Sequence, residues 1–176
     1  MSKMTLATVW LDGCSGCHMS LLDIDENIAL LAQKADLVYG PLVDAQEFPE
    51  QVDVTLVEGA VSNQDDLRLA QTVRRCSRIV VALGDCAVTG NVPSMRNGIP
   101  VKRLLEAIYV DGVSADPKVP GDGVPALLRR AVPVHEVVPV DLHVPGCPPK
   151  ADAILYAAGE LLAGRRPELA SKVKFG

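Results

Sequence analysis

The chain has 176 residues, of which 48% are apolar and 22% are charged, and its formal net charge at pH 7 is −5. This length is enough for one domain with a substantial core, and we expect residues 1–176 to form that single domain. The acidic balance and the few aromatic residues (one Trp, three Tyr and two Phe) argue against a nucleic-acid partner, which needs a basic face. No apolar run approaches the ~20 residues that cross a bilayer, and no secretory signal pattern opens the chain, so we expect a cytoplasmic protein without a membrane span.

The mean hydropathy of +0.20 is high for a chain of this size. A parallel sheet that is buried on both faces would account for it, because such strands are rich in Val, Leu and Ala. An apolar surface that binds a partner subunit would account for it equally well.

In the first half of the chain, short β-rich runs alternate with helical patterns. The predicted strands are 5–11, 35–40 and 52–61. The predicted helices are 18–33 and 65–76. Ser62 or Asn63 is the expected cap of the second helix, whose acidic start and basic end suit the helix dipole.

The same alternation continues to the end of the chain. The predicted elements are strand 77–86, loop 89–100, helix 101–110, an irregular Pro/Gly-rich segment at 111–125, strand 140–149 and helix 151–164. Gly164 is the expected stop of the last helix. Strand–helix alternation predicts the α/β class, and we expect a flavodoxin-like, doubly wound, mainly parallel sheet.

The cysteines follow the predicted strands. Cys14 and Cys17 come after the first strand, Cys86 closes the strand 77–86, and Cys147 follows the last strand. In a doubly wound sheet, ligands bind beyond the carboxyl ends of the strands, so three separate turns would bring four thiols to one edge. Such an arrangement is typical of a four-cysteine metal centre. Cys76 lies at the end of a helix, and we do not expect it to belong to this group.

The type of centre is left open by the cysteines alone. Only Cys14 and Cys17 are close in sequence, and this dispersed pattern fits a cubane iron–sulfur cluster better than a zinc ribbon, which uses two close pairs. A zinc-stabilised interaction module remains an alternative. So does a stand-alone thioredoxin-like or flavodoxin-like redox protein that works through Cys14 and Cys17.

Four motifs in a fixed order resemble the cluster-binding signatures of the small subunits of nickel–iron hydrogenases. They are GCSGC at 13–17, VEGAV at 57–61, GDCAVTGN at 84–91 and PGCPP at 145–149. The resemblance covers nearly the whole chain and is greatest to the cytoplasmic NAD-reducing type, with a further relation to the 20 kDa-type subunit of complex I. It implies that Cys14, Cys17, Cys86 and Cys147 hold a 4Fe–4S cluster proximal to the nickel–iron site.

The resemblance also implies partners. The nickel–iron centre would lie in a separate large subunit, and flavin and NAD would be bound by diaphorase subunits that exchange electrons with this chain. The CxxC spacing favours a hydrogenase over complex I, whose homologues have adjacent cysteines in the first motif. No cysteine follows Cys147, so a single cluster is expected. Asn91 stands where many relatives have a second glycine.

Glu58 is the candidate catalytic residue. It lies toward the carboxyl end of the third predicted strand, on the side of the cysteines, and the corresponding glutamate of the family lies near the partner interface, where a role in proton transfer is discussed. A solvated or capping carboxylate is the simpler interpretation. His18 follows Cys17 and could donate a hydrogen bond to a cluster sulfur. We expect instead that it caps a helix or lies on the surface.

Overall fold

The computed structural model describes residues 3–112 and 115–175. Its strands are β1 (Met4–Trp10), β2 (Ala35–Tyr39), β3 (Val52–Glu58), β4 (Val61–Asn63), β5 (Ser77–Leu83), β6 (Leu127–Val132) and β7 (Leu142–Val144). Its α-helices are α1 (Gly16–Leu22), α2 (Asn27–Lys34), α3 (Gln64–Cys76), α4 (Gly84–Thr89), α5 (Asn91–Ser94), α6 (Val101–Tyr109) and α7 (Ala151–Leu162). Short 3₁₀ turns cover Met95–Gly98 and Val134–Glu136.

The central sheet has the strand order β2-β1-β3-β5-β7, and each neighbouring pair is parallel. Counting only the strands of this sheet along the chain, the order is 2-1-3-4-5, which is the flavodoxin-like doubly wound order. The predicted fold class is therefore confirmed.

Helices cover both faces of this sheet. The core beneath α1 and α7 contains Leu6, Val54, Leu56, Val81 and Ile154. The core beneath α3 and α4 contains Val57, Val73, Val80, Ala82 and Ala87. Because β3 and β5 are apolar on both faces, the buried sheet accounts for part of the positive mean hydropathy.

The predicted strand 52–61 is wrong at its end. Strand β3 stops at Glu58, and Gly59 then adopts a φ of +94°, a left-handed conformation that glycine accepts without strain. A Cβ at this position would lie 2.8 Å from the carbonyl carbon of Leu11, so the turn also needs the missing side chain. The chain then forms β4, which pairs antiparallel with β6, a strand that the sequence analysis did not predict.

The predicted helix 18–33 is two helices. They are separated at residues 23–26, where Asp25 has a φ of +52°. Aspartate tolerates this left-handed conformation better than most residues, so the apolar periodicity continues although the backbone turns.

Three further predictions need correction near the cysteines. The strand 77–86 ends at Leu83, and Cys86 lies in the first turn of α4 rather than in a strand. The predicted loop 89–100 contains α5 and a 3₁₀ turn. Strand 140–149 is reduced to β7, while α7 ends close to Gly164, whose φ of +72° is consistent with the predicted stop.

Turns and bends occupy much of the predicted irregular segment 111–125, of which residues 113 and 114 lie outside the described residues. Residues 1, 2 and 176 of the expected domain lie outside them as well. Within the described ranges, no helix has both the length and the apolar character that crossing a membrane requires.

The cap of α3 provides a first test of this fold. The Asn63 side chain accepts hydrogen bonds from the backbone N–H groups of Asp65 and Asp66 at 2.8 and 2.9 Å. We expect Asn63→Ala to lower the free energy of unfolding by about 1 kcal/mol, since two helical N–H groups lose their acceptor. Urea titration of the apo chain measures this, with Asn63→Asp as the control that keeps the acceptor. Equal midpoints for the wild type and Asn63→Ala would contradict the assignment.

Candidate metal centre

The carboxyl ends of four neighbouring strands lie in one row. Trp10 of β1 pairs with Glu58 of β3, Glu58 pairs with Leu83 of β5, and Leu83 pairs with Val144 of β7. The turn that carries Cys14 and Cys17 leaves from Trp10, the Cys86 turn from Leu83 and the Cys147 turn from Val144. Three turns that are distant in sequence therefore start side by side.

The four thiols are electrostatic neighbours. Burial raises the pKa of the Cys17 thiol far above its ordinary value, and the Glu58 carboxylate and then Cys86, Cys14 and Cys147 raise it further. Cys17 is buried, Cys86 is half-buried, and Cys14 and Cys147 are exposed. The structure thus brings together the four cysteines that the sequence analysis selected.

Cys86 experiences the same effects more weakly. Burial, followed by Cys147 and Cys14, raises the pKa of its thiol to about 11, although a hydrogen bond from the backbone N–H of Val92 lowers it. Thiols that disfavour each other's ionisation lose this disadvantage when they bind a cation, because metal binding displaces their protons.

Two glycines leave room for the sulfur atoms. Gly84 has a φ of +81°, and a Cβ at this position would lie 2.2 Å from the Sγ atom of Cys17. A Cβ at Gly16 would lie 3.2 Å from the Sγ atom of Cys14. Any side chain at residue 84 would therefore displace the most buried thiol of the group.

The Glu58 side chain, at the end of β3, forms hydrogen bonds with the first cysteine turn. Its side chain is 2% exposed, and its Oε1 accepts a hydrogen bond from the backbone N–H of Cys17 at 3.4 Å. Its Oε2 accepts one from the backbone N–H of His18 at 2.9 Å. The carboxylate is therefore buried and caps backbone N–H groups, and the solvated interpretation is wrong.

His18 is buried rather than on the surface, which corrects the expectation for this residue. Its side chain is about 7% exposed, and its Nδ1 forms a short contact with Oε2 of Glu58. In the described part of the chain, its Nε2 has no hydrogen-bond partner. His18 therefore forms a buried pair with Glu58, the side chain that also accepts hydrogen bonds from the backbone of the cysteine turn.

Asn91 makes a contact that sequence reasoning did not assign. Its Nδ2 lies 3.5 Å from the Sγ atom of Cys147, at hydrogen-bonding distance for sulfur. N–H groups that donate to sulfur are among the features that set an iron–sulfur potential. The replacement of the family's second glycine by Asn91 was the available signal, but only the fold shows which cysteine it meets.

Cys76 lies outside the group. It ends α3 immediately before Ser77, the first residue of β5, so it is at the amino edge of the sheet. Across the described ranges, no group of three or more His, Cys, Asp or Glu side chains is arranged to hold a single metal ion. The site therefore consists of four neighbouring thiols from three turns.

Comparison with known proteins gives a consistent set of relatives. Residues 14–161 match the family described as NADH ubiquinone oxidoreductase, 20 Kd subunit. The chain is 36% identical to the delta subunit of the NAD-reducing hydrogenase HoxS of Cupriavidus necator, over 97% of this chain and 84% of that subunit. It is 34% identical to one subunit of the F420-non-reducing hydrogenase of Methanothermobacter thermautotrophicus over 95% of this chain, but it spans only 56% of that protein's length.

Solved structures agree with these matches. A chain in the crystal structure of an NAD⁺-reducing NiFe hydrogenase in the H2-reduced state superposes with a TM-score of 0.95 at 37% identity, covering 99% of this chain and 100% of that one. A chain of the NiFeSe hydrogenase of Dm. baculatum superposes with a TM-score of 0.60 at 21% identity, which indicates a shared fold.

The order of thiol alkylation tests the geometry of the site. In the apo chain at pH 8, we expect iodoacetamide to modify the exposed Cys14 and Cys147 first and the half-buried Cys86 more slowly. Only thiolates react, and the raised pKa of Cys86 leaves little thiolate until the pH approaches about 11. Buried Cys17 should react last. Peptide mass spectrometry over a time course measures the order, and Cys17 reacting as fast as Cys14 would contradict it.

Proposed function

Because the chain belongs to the family of the 20 kDa subunit of NADH ubiquinone oxidoreductase, we propose that it is the electron-transfer small subunit of a nickel–iron hydrogenase. In this role it holds one 4Fe–4S cluster proximal to the nickel–iron site of a large subunit. It relays electrons between that site and the flavin and NAD of a diaphorase module. A cytoplasmic location is part of the proposal.

The donor set supports the cluster. Cys14, Cys17, Cys86 and Cys147 supply four thiols and no other ligand type, which is the usual set for a 4Fe–4S cluster. When bound, the cluster supplies one-electron transfer, and this chain contributes position, burial and hydrogen bonds. The single observation that carries the proposal is the row formed by the ends of β1, β3, β5 and β7, because the three cysteine turns leave the sheet side by side from Trp10, Leu83 and Val144.

The same observation disfavours a stand-alone dithiol protein. Such a protein would use Cys14 and Cys17 alone, with the more exposed Cys14 as nucleophile. It would have no need of two further thiols from distant turns beside Cys17.

The surface around the cysteines supports a partner subunit. Large apolar side chains near the cysteine turns are exposed: Trp10 (48%), Met19 (56%), Val92 (62%) and Met95 (78%). They flank β1, α1 and α5 at the carboxyl edge of the sheet. Large exposed apolar side chains near one edge are typical of protein–protein interfaces, and we assign these four to the contact with the large subunit. The chain has one CxxC motif, so the paired motifs of a nickel–iron centre belong to that partner.

Iron content tests the cluster. The complex, co-expressed with its partner subunits and purified without oxygen, should be brown, absorb broadly near 400 nm and contain about four irons more than the same complex with a ligand cysteine replaced. Cys86→Ser and Cys147→Ser should each lose most of this iron because each removes a ligand. Cys76→Ser is the matched control and should retain it. A colourless chain with one zinc, or iron that survives both ligand substitutions, would contradict the proposal.

Glu58 is proposed as the catalytic residue of this chain, transferring protons at the interface with the large subunit. We expect Glu58→Gln to slow hydrogen turnover by about 100-fold, because an amide cannot carry the proton, while the iron content stays unchanged. Asp53→Asn at the other end of β3 is the control for loss of a carboxylate. Hydrogen uptake by the assembled enzyme measures the effect, and wild-type turnover in Glu58→Gln would remove the assignment.

A further inference from the structure

The three cysteine turns need connections beyond the sheet. Ladder pairing between the central strands ends at Trp10, Leu83 and Val144, and the cysteines lie three or more residues further on. Asp12 still pairs with Ala60, and Cys17 and Cys86 lie in the first turns of α1 and α4, but none of these contacts joins one cysteine turn to another. The spacing of the thiols therefore depends on contacts between the turns themselves.

Asp85 connects the second turn to the third. Its backbone N–H donates to the carbonyl oxygen of Gly146 at 2.9 Å, and its Oδ1 accepts the backbone N–H of Gly146 at 2.7 Å. Asp85 directly precedes Cys86, and Gly146 directly precedes Cys147. The side chain of Asp85 is 6% exposed, so this reciprocal pair is shielded from water.

Ser20 connects the first turn to the third. Its hydroxyl donates to the carbonyl oxygen of Pro149 at 2.5 Å, and both atoms are buried. Ser20 lies in α1, three residues after Cys17, while Pro149 lies two residues after Cys147. The Cys147 turn is thus held from both sides by side chains that belong to the other two cysteine turns.

We propose that Asp85 and Ser20 are positioning residues that clamp the Cys147 turn between the other two cysteine turns and so preorganise the four thiols for the metal group. The inference rests on the proposed function, since it assigns these residues to the retention of the cluster. A buried carboxylate that accepts a backbone N–H makes one of the stronger hydrogen bonds in a protein. Its removal leaves the N–H of Gly146 without an acceptor and frees the turn.

The Asp85 contact is tested by two substitutions. Asp85→Ala removes the acceptor, and Asp85→Asn keeps an oxygen that accepts the same N–H. In the complex purified without oxygen, we expect Asp85→Ala to lose its iron to a chelator about 10-fold faster than wild type, as for other residues that orient ligands. The electron paramagnetic resonance spectrum of its reduced cluster should broaden. Asp85→Asn should restore both the retention rate and the spectrum.

Asp66→Ala is the matched control. Asp66 is also a buried aspartate, 9% exposed, and its Oδ2 accepts the backbone N–H groups of Ser62 and Asn63 at 3.0 and 3.2 Å. It caps α3, and these hydrogen bonds do not involve a cysteine turn. We expect Asp66→Ala to unfold at a lower temperature but to release iron at the wild-type rate.

Ser20→Ala is an independent test of the second contact and removes only one hydroxyl. It should also accelerate iron release, with the helical content of the chain unchanged.

The inference is overturned if Asp85→Ala and Ser20→Ala release iron at the wild-type rate. It is also overturned if Asp66→Ala releases iron as fast as Asp85→Ala, because the effect would then be general destabilisation. A wild-type complex without iron in this chain overturns the proposed function together with the inference, whereas an iron-loaded wild type with unaffected variants overturns the inference alone.

Discussion

The register of the parallel sheet is the constraint on which the site depends. Trp10, Glu58, Leu83 and Val144 lie in one row across the sheet. The turns after β1, β5 and β7 therefore begin at the same level along the carboxyl edge. A slip of one residue in the pairing of β5 would exchange the side chains on its two apolar faces, disrupt their packing against the helices on both sides and move the Cys86 turn away from Cys17. The apolar burial that fixes this register therefore also fixes where the thiols meet.

Electrostatics explains why this edge suits a cationic group. A thiolate at Cys17 would lie in a buried position beside the Glu58 carboxylate and three other sulfurs, all of which disfavour its charge. The glycine at residue 84 gives this thiol its space, and Glu58 and His18 hold its backbone. Iron bound by the thiolates would offset the repulsion among the sulfurs, because metal binding displaces the thiol protons.

Much of this arrangement is predictable from the sequence, because alternation of strands and helices determines the doubly wound class and the rule for carboxyl ends selects the cysteines. The helix break at Asp25 is not predictable from periodicity, since the apolar pattern continues across it. Strand β6 escapes prediction because its partner β4 has only three residues and follows a glycine turn. The contact between Asp85 and Gly146 joins residues 61 apart, and no local pattern reports such a pair.

Anomalous diffraction at the iron absorption edge, from crystals of the complex grown without oxygen, tests the central claim most directly. The account predicts a compact group of iron peaks enclosed by the sulfur atoms of Cys14, Cys17, Cys86 and Cys147, with none near Cys76. An iron-free carboxyl edge in an active complex, or iron peaks bound by a different set of residues in this chain, would contradict it.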